Sequence, residues 1–359
     1  MKVGIPGGLL YYRYGRLWNS FLRALGAEVV ESGETTRSIL TSGVSKAENE
    51  SCLPVKVFYG HVLALKDEVD ALFVPRLVSV KKRTHTCPKM LGLPDMARAA
   101  AGDALPVISP TIDFQSGLWH NYRAVYSLGR LFSSNPMRII GAGITAWRDH
   151  RLYLERLTLG LDHKGALKGE SDRMLCEGRE LRIGVIGHHY NVYDTFTTMS
   201  LLERLGSMGV DVVTADMVPE KMRDEELKRL PKYIYWSYEQ EVAGAILACT
   251  RRKLVDGIIF MISFPCGPDS IVRVLCEQEN KAMGNVPMLT LIMDEHTGEG
   301  GFLTRIEAFV DMLRRKKNRV EAALEKTPQP LAFQHRARGG IGGHGSDPGT
   351  PDTRLQTRE

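Results

Sequence analysis

Short apolar runs alternate along this chain with stretches whose apolar positions recur every three or four residues, the periods of strand and helix. Lys2-Val3-Gly4-Ile5-Pro6-Gly7 reads as a strand and turn, followed by an amphipathic stretch and a second strand around Val29-Val30. Arg182-Ile183-Gly184-Val185-Ile186-Gly187 opens the same pattern again and reaches Val212-Val213. Residues 70–75 parallel 256–261, and 106–113 match 287–294 in length, with Pro and Asp at the ends of each. Short apolar strands alternating with helices predict parallel sheets covered on both faces. The fold class is therefore α/β: two doubly wound, Rossmann-like parallel-sheet domains of related topology. In such sheets the strand carboxyl ends gather on one edge, where ligands bind.

The pattern divides the chain into a first α/β domain over 1–135, a helical bridge and linker over 136–180, a second α/β domain over 181–326 and a tail over 327–359. A helical stretch over 119–160 carries Trp119, Tyr122, Val125, Tyr126, Leu128 and Leu131 and is expected to pack across the domains. The second domain closes with a helix over 303–325 whose apolar stripe is Ile306, Phe309, Val310 and Leu313. The tail is rich in Gly, Pro and Arg and poor in apolar residues, so it reads as disordered. Its Gly340-Ile341-Gly342-Gly343-His344-Gly345 lacks the preceding strand and following helix of a dinucleotide site.

Composition narrows the class. The 359 residues are 43% hydrophobic and 25% charged, which suits a soluble protein of about two domains. The net charge is +5, with basic residues concentrated at Arg314-Arg315-Lys316-Lys317 and Arg319. That run is either a solvated helix end or a patch for an acidic ligand such as coenzyme A; without interleaved aromatics it does not suggest nucleic acid. The opening residues read as a strand rather than a signal peptide, and no apolar run is long enough for a bilayer. The expectation is a cytoplasmic protein, in which the sequon Asn49-Glu50-Ser51 carries no meaning. Cysteines in a reducing compartment bind metal, catalyse or lie buried more often than they form disulfides.

Three of the six cysteines stand within two residues before a proline, each where a helix is expected to start: Cys52 (Ser51-Cys52-Leu53-Pro54), Cys87 (Cys87-Pro88-Lys89) and Cys266 (Pro265-Cys266-Gly267-Pro268). Proline is favoured in a first turn because its missing N–H would be unpaired there. A thiol at that point faces free backbone N–H groups and the positive end of the helix dipole, which are expected to lower its pKa and favour the metal-binding thiolate. The pattern fits a cluster or metal site on the ligand-binding edges of the sheets, and equally three buried structural thiols. Cys249 and Cys276 read as core, Cys176 as a linker thiol; a larger cluster would have to recruit from these three. His61, His85 and His296 are candidates to complete a zinc site with three cysteines.

Softer constellations surround these. Asp294-Glu295-His296-Thr297-Gly298-Glu299 follows a buried strand and reads as a proton-transfer loop or a capped turn, with Glu295 and His296 as the candidate catalytic pair. Gly187-His188-His189-Tyr190 and Asp194 form a strand-to-helix turn that either binds an anion or is simply capped. Lys56, Lys89 and Arg76 lie near the cysteine motifs and either balance charge there or are solvated.

Together these segments resemble a known family. Ile5-Pro6 with Gly8-Leu9-Leu10-Tyr11-Tyr12, Cys52-Leu53-Pro54-Val55-Lys56, Cys87-Pro88-Lys89, Gly92-Leu93-Pro94-Asp95, Phe264 through Ser270, and the Asp294–Glu299 stretch occur in order as in the CoA protein activase family, also called acyl-CoA dehydratase activase-related proteins (DUF2229). The resemblance covers about residues 1–320 and extends to the subunits of 2-hydroxyacyl-CoA dehydratases. It implies a [4Fe-4S] cluster held by Cys52, Cys87 and Cys266, an ATP-driven activator or reductase partner that delivers one electron, and a small acyl-CoA-type substrate. It leaves open an enzyme or an electron-relaying accessory protein, and a homo- or heterodimer. Position 7 is glycine where the pattern has arginine, which removes an anion contact. No P-loop is present, so ATP hydrolysis by this chain alone is not expected.

Overall fold

In the computed structural model the repeated pattern becomes two four-stranded parallel sheets of one topology. The structure describes residues 1–325 except 103, 171–174 and 177; the tail expected to be disordered, with its glycine run, lies outside the described residues. The first half runs β1 (Lys2–Ile5), α1 (Tyr11–Ala24), β2 (Glu28–Glu31), α2 (Arg37–Lys46), α3 (Leu53–Leu65), β3 (Ala71–Phe73), β4 (Arg76–Ser79), α4 (Pro88–Leu91), α5 (Leu93–Ala101), β5 (Val107–Ile108) and β6 (Thr111–Asp113). Then come α6 (Leu118–Arg130), α7 (Pro136–Thr158) and α8 (His163–Lys168). The second half runs β7 (Leu181–Gly187), α9 (His189–Tyr193), α10 (Leu201–Ser207), β8 (Val210–Thr214), α11 (Glu220–Leu227), α12 (Ser237–Arg251), β9 (Gly257–Ser263), α13 (Gly267–Ala282), β10 (Met288–Met293) and α14 (Glu299–Glu325).

The sheet orders are β2-β1-β3-β5 and β8-β7-β9-β10, so each strand of the first four-stranded sheet has its counterpart in the second. The likeness reaches single hydrogen bonds. Asp70, just before β3, accepts from the Lys2 N–H at 2.7 Å; Asp256, just before β9, accepts from the Arg182 N–H at 2.8 Å. A carboxylate at that point satisfies a strand-end donor that the ladder leaves unpaired.

Two readings of the sequence need correcting here. Residues 106–113 are not one strand matching β10. They split into β5, in the main sheet, and β6, which pairs with β4 in a separate two-stranded ladder. Pro110 sits at the break, where a missing N–H ends a ladder. The last helix begins at Glu299 rather than 303, because Gly300 and Gly301 hide its first turn from a hydrophobic pattern.

Residues 1–316 form one compact unit. Within this unit, Tyr12, Leu40, Leu53 and Val57 from the first half share an apolar cluster with Ile183, Val185, Ile259 and Met261 of the second sheet. Helices α2 and α3 cross backbone to backbone: a Cβ on Gly43 would overlap the Lys56 carbonyl oxygen, and one on Gly60 that of Ile39. Helix α7 buries Ile139, Ala142, Ala146, His150, Tyr153 and Leu157 and packs along α1. Of the six apolar positions expected to pack across the halves, Leu128 alone is buried; Trp119, Tyr122, Tyr126 and Leu131 face outward.

Candidate functional site

Each of the three proline-flanked cysteines stands as the N-cap of a helix: Cys52 of α3, Cys87 of α4 and Cys266 of α13, every one with proline in the first two helical positions. The expected thiolate character is not found. Burial pushes the Cys52 thiol up to about 12 and Cys87 to about 11, and raises Cys266 as well. The N–H groups of Val55, Met90 and Asp269, three residues on, act in the opposite direction but do not offset the lost hydration. The sulfurs also act on one another. Charge on Cys266 and Cys87 raises Cys52, and charge on Cys266 raises Cys87. Such repulsion decays with distance, so the three thiols share one neighbourhood. Two short links tie it together: the Leu53 N–H donates to the Phe264 carbonyl at 3.2 Å, and Lys89 Nζ lies 3.5 Å from Ser51 Oγ.

The neighbourhood lies at the switch point of the second sheet. Connections leave β7 toward β8 and β9 toward β10, on opposite sides, so a crevice opens between the carboxyl ends of β7 and β9. His188 follows β7 and Cys266 follows β9. His188, Cys266 and Asp269 bring their ligating atoms within 4.8 Å of one another. Burial disfavours the charged His188 ring, yet Asp269, the neighbouring Cys266 and Glu239 outweigh it and hold its pKa well above the ordinary value. Asp269 Oδ1 lies 3.0 Å from His188 Nε2, and Glu239 lies 3.9 Å away. The contact with Asp269 is ionic rather than aligned: neither of its buried carboxylate oxygens has a hydrogen-bond donor among the described residues. Tyr190 stacks on His188 at 5.1 Å, and its hydroxyl feels the charge of all three sulfurs.

His188 and Asp269 were not among the ligand candidates drawn from sequence. Their signal was positional: a histidine ending one strand at the switch point, and an acid three residues past the cysteine ending its neighbour. The histidines that were candidates sit elsewhere. His61 is fully buried in a directed chain: Gly7 N–H donates to Ser32 Oγ, Ser32 to His61 Nδ1, His61 Nε2 to Thr35, and Thr35 to Asp194. Because Thr35 donates to the carboxylate, it must accept from His61, which fixes a neutral ring with its proton on Nε2. His85 bonds through its backbone to Tyr235 and through its ring to Gln115. Gly7 has no room for a larger side chain on this backbone, since a Cβ there would lie 2.7 Å from the Gly33 carbonyl oxygen.

Glu295 follows β10 on the same sheet edge and forms a tight ion pair with the buried Lys56, in the first turns of α3 behind Cys52. Burial works to raise the Glu295 carboxyl, but the Lys56 contacts more than offset this and leave it below its ordinary range. The neighbouring His296 side chain is 85% exposed and lies 3.9 Å from Glu295. Arg76 pairs with Asp95. Cys249 and Cys276 are fully buried in the apolar layer of α12, β9 and α13, as expected, and Cys176 donates to Asp211.

A second buried cluster joins α1 to the second half. Arg13 pairs with Asp216 at 2.8 Å and Glu241 at 3.6 Å, beside His189 and Arg223. Three acceptor groups with an arginine already among them make a structural clamp rather than a cation site.

Comparison with known proteins adds one finding. Residues 2–218 match the family model described as CoA enzyme activase uncharacterised domain, DUF2229. The match takes in Cys52, Cys87 and His188; Cys266, Asp269 and Glu295 lie beyond it. No curated protein matches the chain. Among the described residues, no helix is long and apolar enough to cross a membrane.

Proposed function

Starting from the fact that the chain belongs to the DUF2229 family of CoA enzyme activase domains, we propose that it is an iron–sulfur redox protein working with a CoA-dependent enzyme partner, its cluster held by Cys52, Cys87 and Cys266. One observation carries the reading: three partly buried sulfurs from three separate helix starts lie close enough that charge on one raises the pKa of another. Buried sulfurs forced together are stabilised when a multivalent cationic group takes their protons' place. The donor set fits such a group, because each sulfur also sits over the free N–H groups of a helix end. A bound cluster supplies one-electron chemistry. Three protein ligands leave one position of a four-iron cluster for water or an acyl-CoA-type substrate, with an ATP-driven activator as electron source.

Around that pocket the protein's own groups have distinct tasks. The protonated His188 lies beside Cys266 and would offset negative charge on it, while Asp269 and Glu239 hold the ring charged. Lys56 keeps Glu295 ionised, and with the exposed His296 this pair is assigned proton handling between bulk water and the start of α3. A second reading is favoured by the compact His188, Cys266 and Asp269 group alone, which suits a single zinc ion.

Anaerobic reconstitution with iron and sulfide separates the two. The expected outcome is bound iron and sulfide in near-equal amounts with an electron paramagnetic resonance signal after reduction. Cys52→Ala, Cys87→Ala and Cys266→Ala each lose most of the iron, and Cys249→Ala keeps it. Zinc without sulfide, with loss only in Cys266→Ala, would establish the second reading instead. Full iron retention in all three variants would refute the cluster.

A further inference from the structure

The outward faces of α6 and α7 carry more apolar surface than a free protein keeps exposed. On α7, Met137, Ile140, Ile144 and Trp147 are 73%, 52%, 67% and 59% exposed, and on α6 Trp119 and Tyr122 are 82% and 65% exposed. At roughly 150–250 Å² for a fully exposed aromatic, and somewhat less for the aliphatic residues, these side chains present on the order of 1,000 Å². The largest apolar patch of an ordinary monomer is about 300–600 Å², whereas a stable interface needs about 800 Å² per partner. Summed over both helices, this exceeds the largest patch of an ordinary monomer and reaches what a dimer buries per partner.

The pattern on α7 points to the occupant. The four residues follow each other at steps of three, four and three, a single seam opposite the face that packs on α1. That seam is symmetric about the level of Ala142. Reversed end for end, Met137 meets Trp147, Ile140 meets Ile144, and Gly141 meets Gly143. Both glycines have nothing but open space where a Cβ would stand, so a second helix can approach closely at the centre. In the same register Arg138 comes level with Ala146, which is turned inward, and Arg148 with Pro136, so no two arginines oppose each other. A surface that is its own complement under a two-fold rotation is the signature of an isologous contact. We infer that α7 pairs antiparallel with α7 of a second copy of this chain, the axis passing at the level of Ala142, with the α6 aromatics closing over the sides. This holds whatever occupies the cysteine pocket.

The full chain should sediment at twice its 40.1 kDa. Ile144→Glu and Ile140→Lys should each weaken association at least about 100-fold, with unchanged far-ultraviolet circular dichroism because both positions are exposed. Mixed in equal amounts, the two variants should recover the dimer, since position 140 of one copy faces position 144 of the other and the new charges are opposite. A monomeric wild type at about 100 µM, where even a weak specific dimer would form, overturns the proposal. So does a dimer that persists in both single variants, which would place the contact elsewhere. Failure of the mixture to dimerise overturns the antiparallel register.

Discussion

Burial and the helix end pull the cysteine protons in opposite directions, and at Cys52, Cys87 and Cys266 burial is the stronger. A helix N-terminus is visible in a sequence as a cysteine with a following proline; desolvation is not, because it depends on what the second half lays over the thiol. In the metal-free chain, Cys52 and Cys87 should therefore alkylate slowly at neutral pH and speed up only toward pH 11. A pH profile of thiol modification checks this, and fast labelling of both at pH 7 would contradict the balance described. His188 shows the same limit of sequence reading. It lay in a stretch already marked for interest, but nothing in its neighbours reveals that Asp269 and Cys266, some eighty residues on, stand beside it.

Among the elements, the sheets were the most legible part of the chain, because the repeat made each strand vouch for another. Lys2 with Asp70 and Arg182 with Asp256 kept that agreement down to a shared hydrogen bond. The amphipathic pattern of α6 was legible as a helix but not as an exposed face, since the same spacing serves a core or an interface. The α2–α3 crossing was not legible at all. Gly43 and Gly60 look like unremarkable glycines in helical stretches, yet each leaves space for the other helix's backbone. Gly60→Ala should push α3 off α2 and destabilise the protein by about 2–4 kcal/mol, in the range of severe overpacking. Because α3 is capped by Cys52 and carries Lys56, the proposed cluster predicts that the variant also binds less iron. A thermal melt within about a degree of wild type would show that the crossing can relax, since about 1 kcal/mol shifts the melting temperature of even a large domain by several degrees.

For the whole molecule, stability should follow the buried histidines. Burial holds His61 and His150 neutral with pKa values of about 4, and His163 at about 3, against an ordinary 6.5. A folded-state value below the unfolded one means that the unfolded chain binds more protons in between. Their contribution is complete above pH 6.5 and is lost as pH falls toward 4. His188 is displaced the other way, so its contribution is complete below 6.5 and declines only at higher pH. In the window from 6.5 to 4 it does not oppose the loss. Unfolding free energy should drop by at least about 2 kcal/mol across that window. Denaturant titrations at three or four pH values check it, and a flat profile would mean that these rings are hydrated. His61 and His163 both lie where the two halves meet, linked to Asp194 and Tyr153, so acid should loosen the halves together rather than one sheet first.

The bond between the Leu53 amide and the Phe264 carbonyl has a wider bearing. The contact lies one residue from Cys52 and two from Cys266. The gap between those sulfurs is thus gauged by peptide geometry and hardly at all by the bulk of surrounding side chains. Drift in the apolar interior can retouch stability over generations without altering the bite of the site. A lineage that needed a different bite would have to rewrite a handful of positions around 52 and 264–266, by insertion or deletion rather than by exchange.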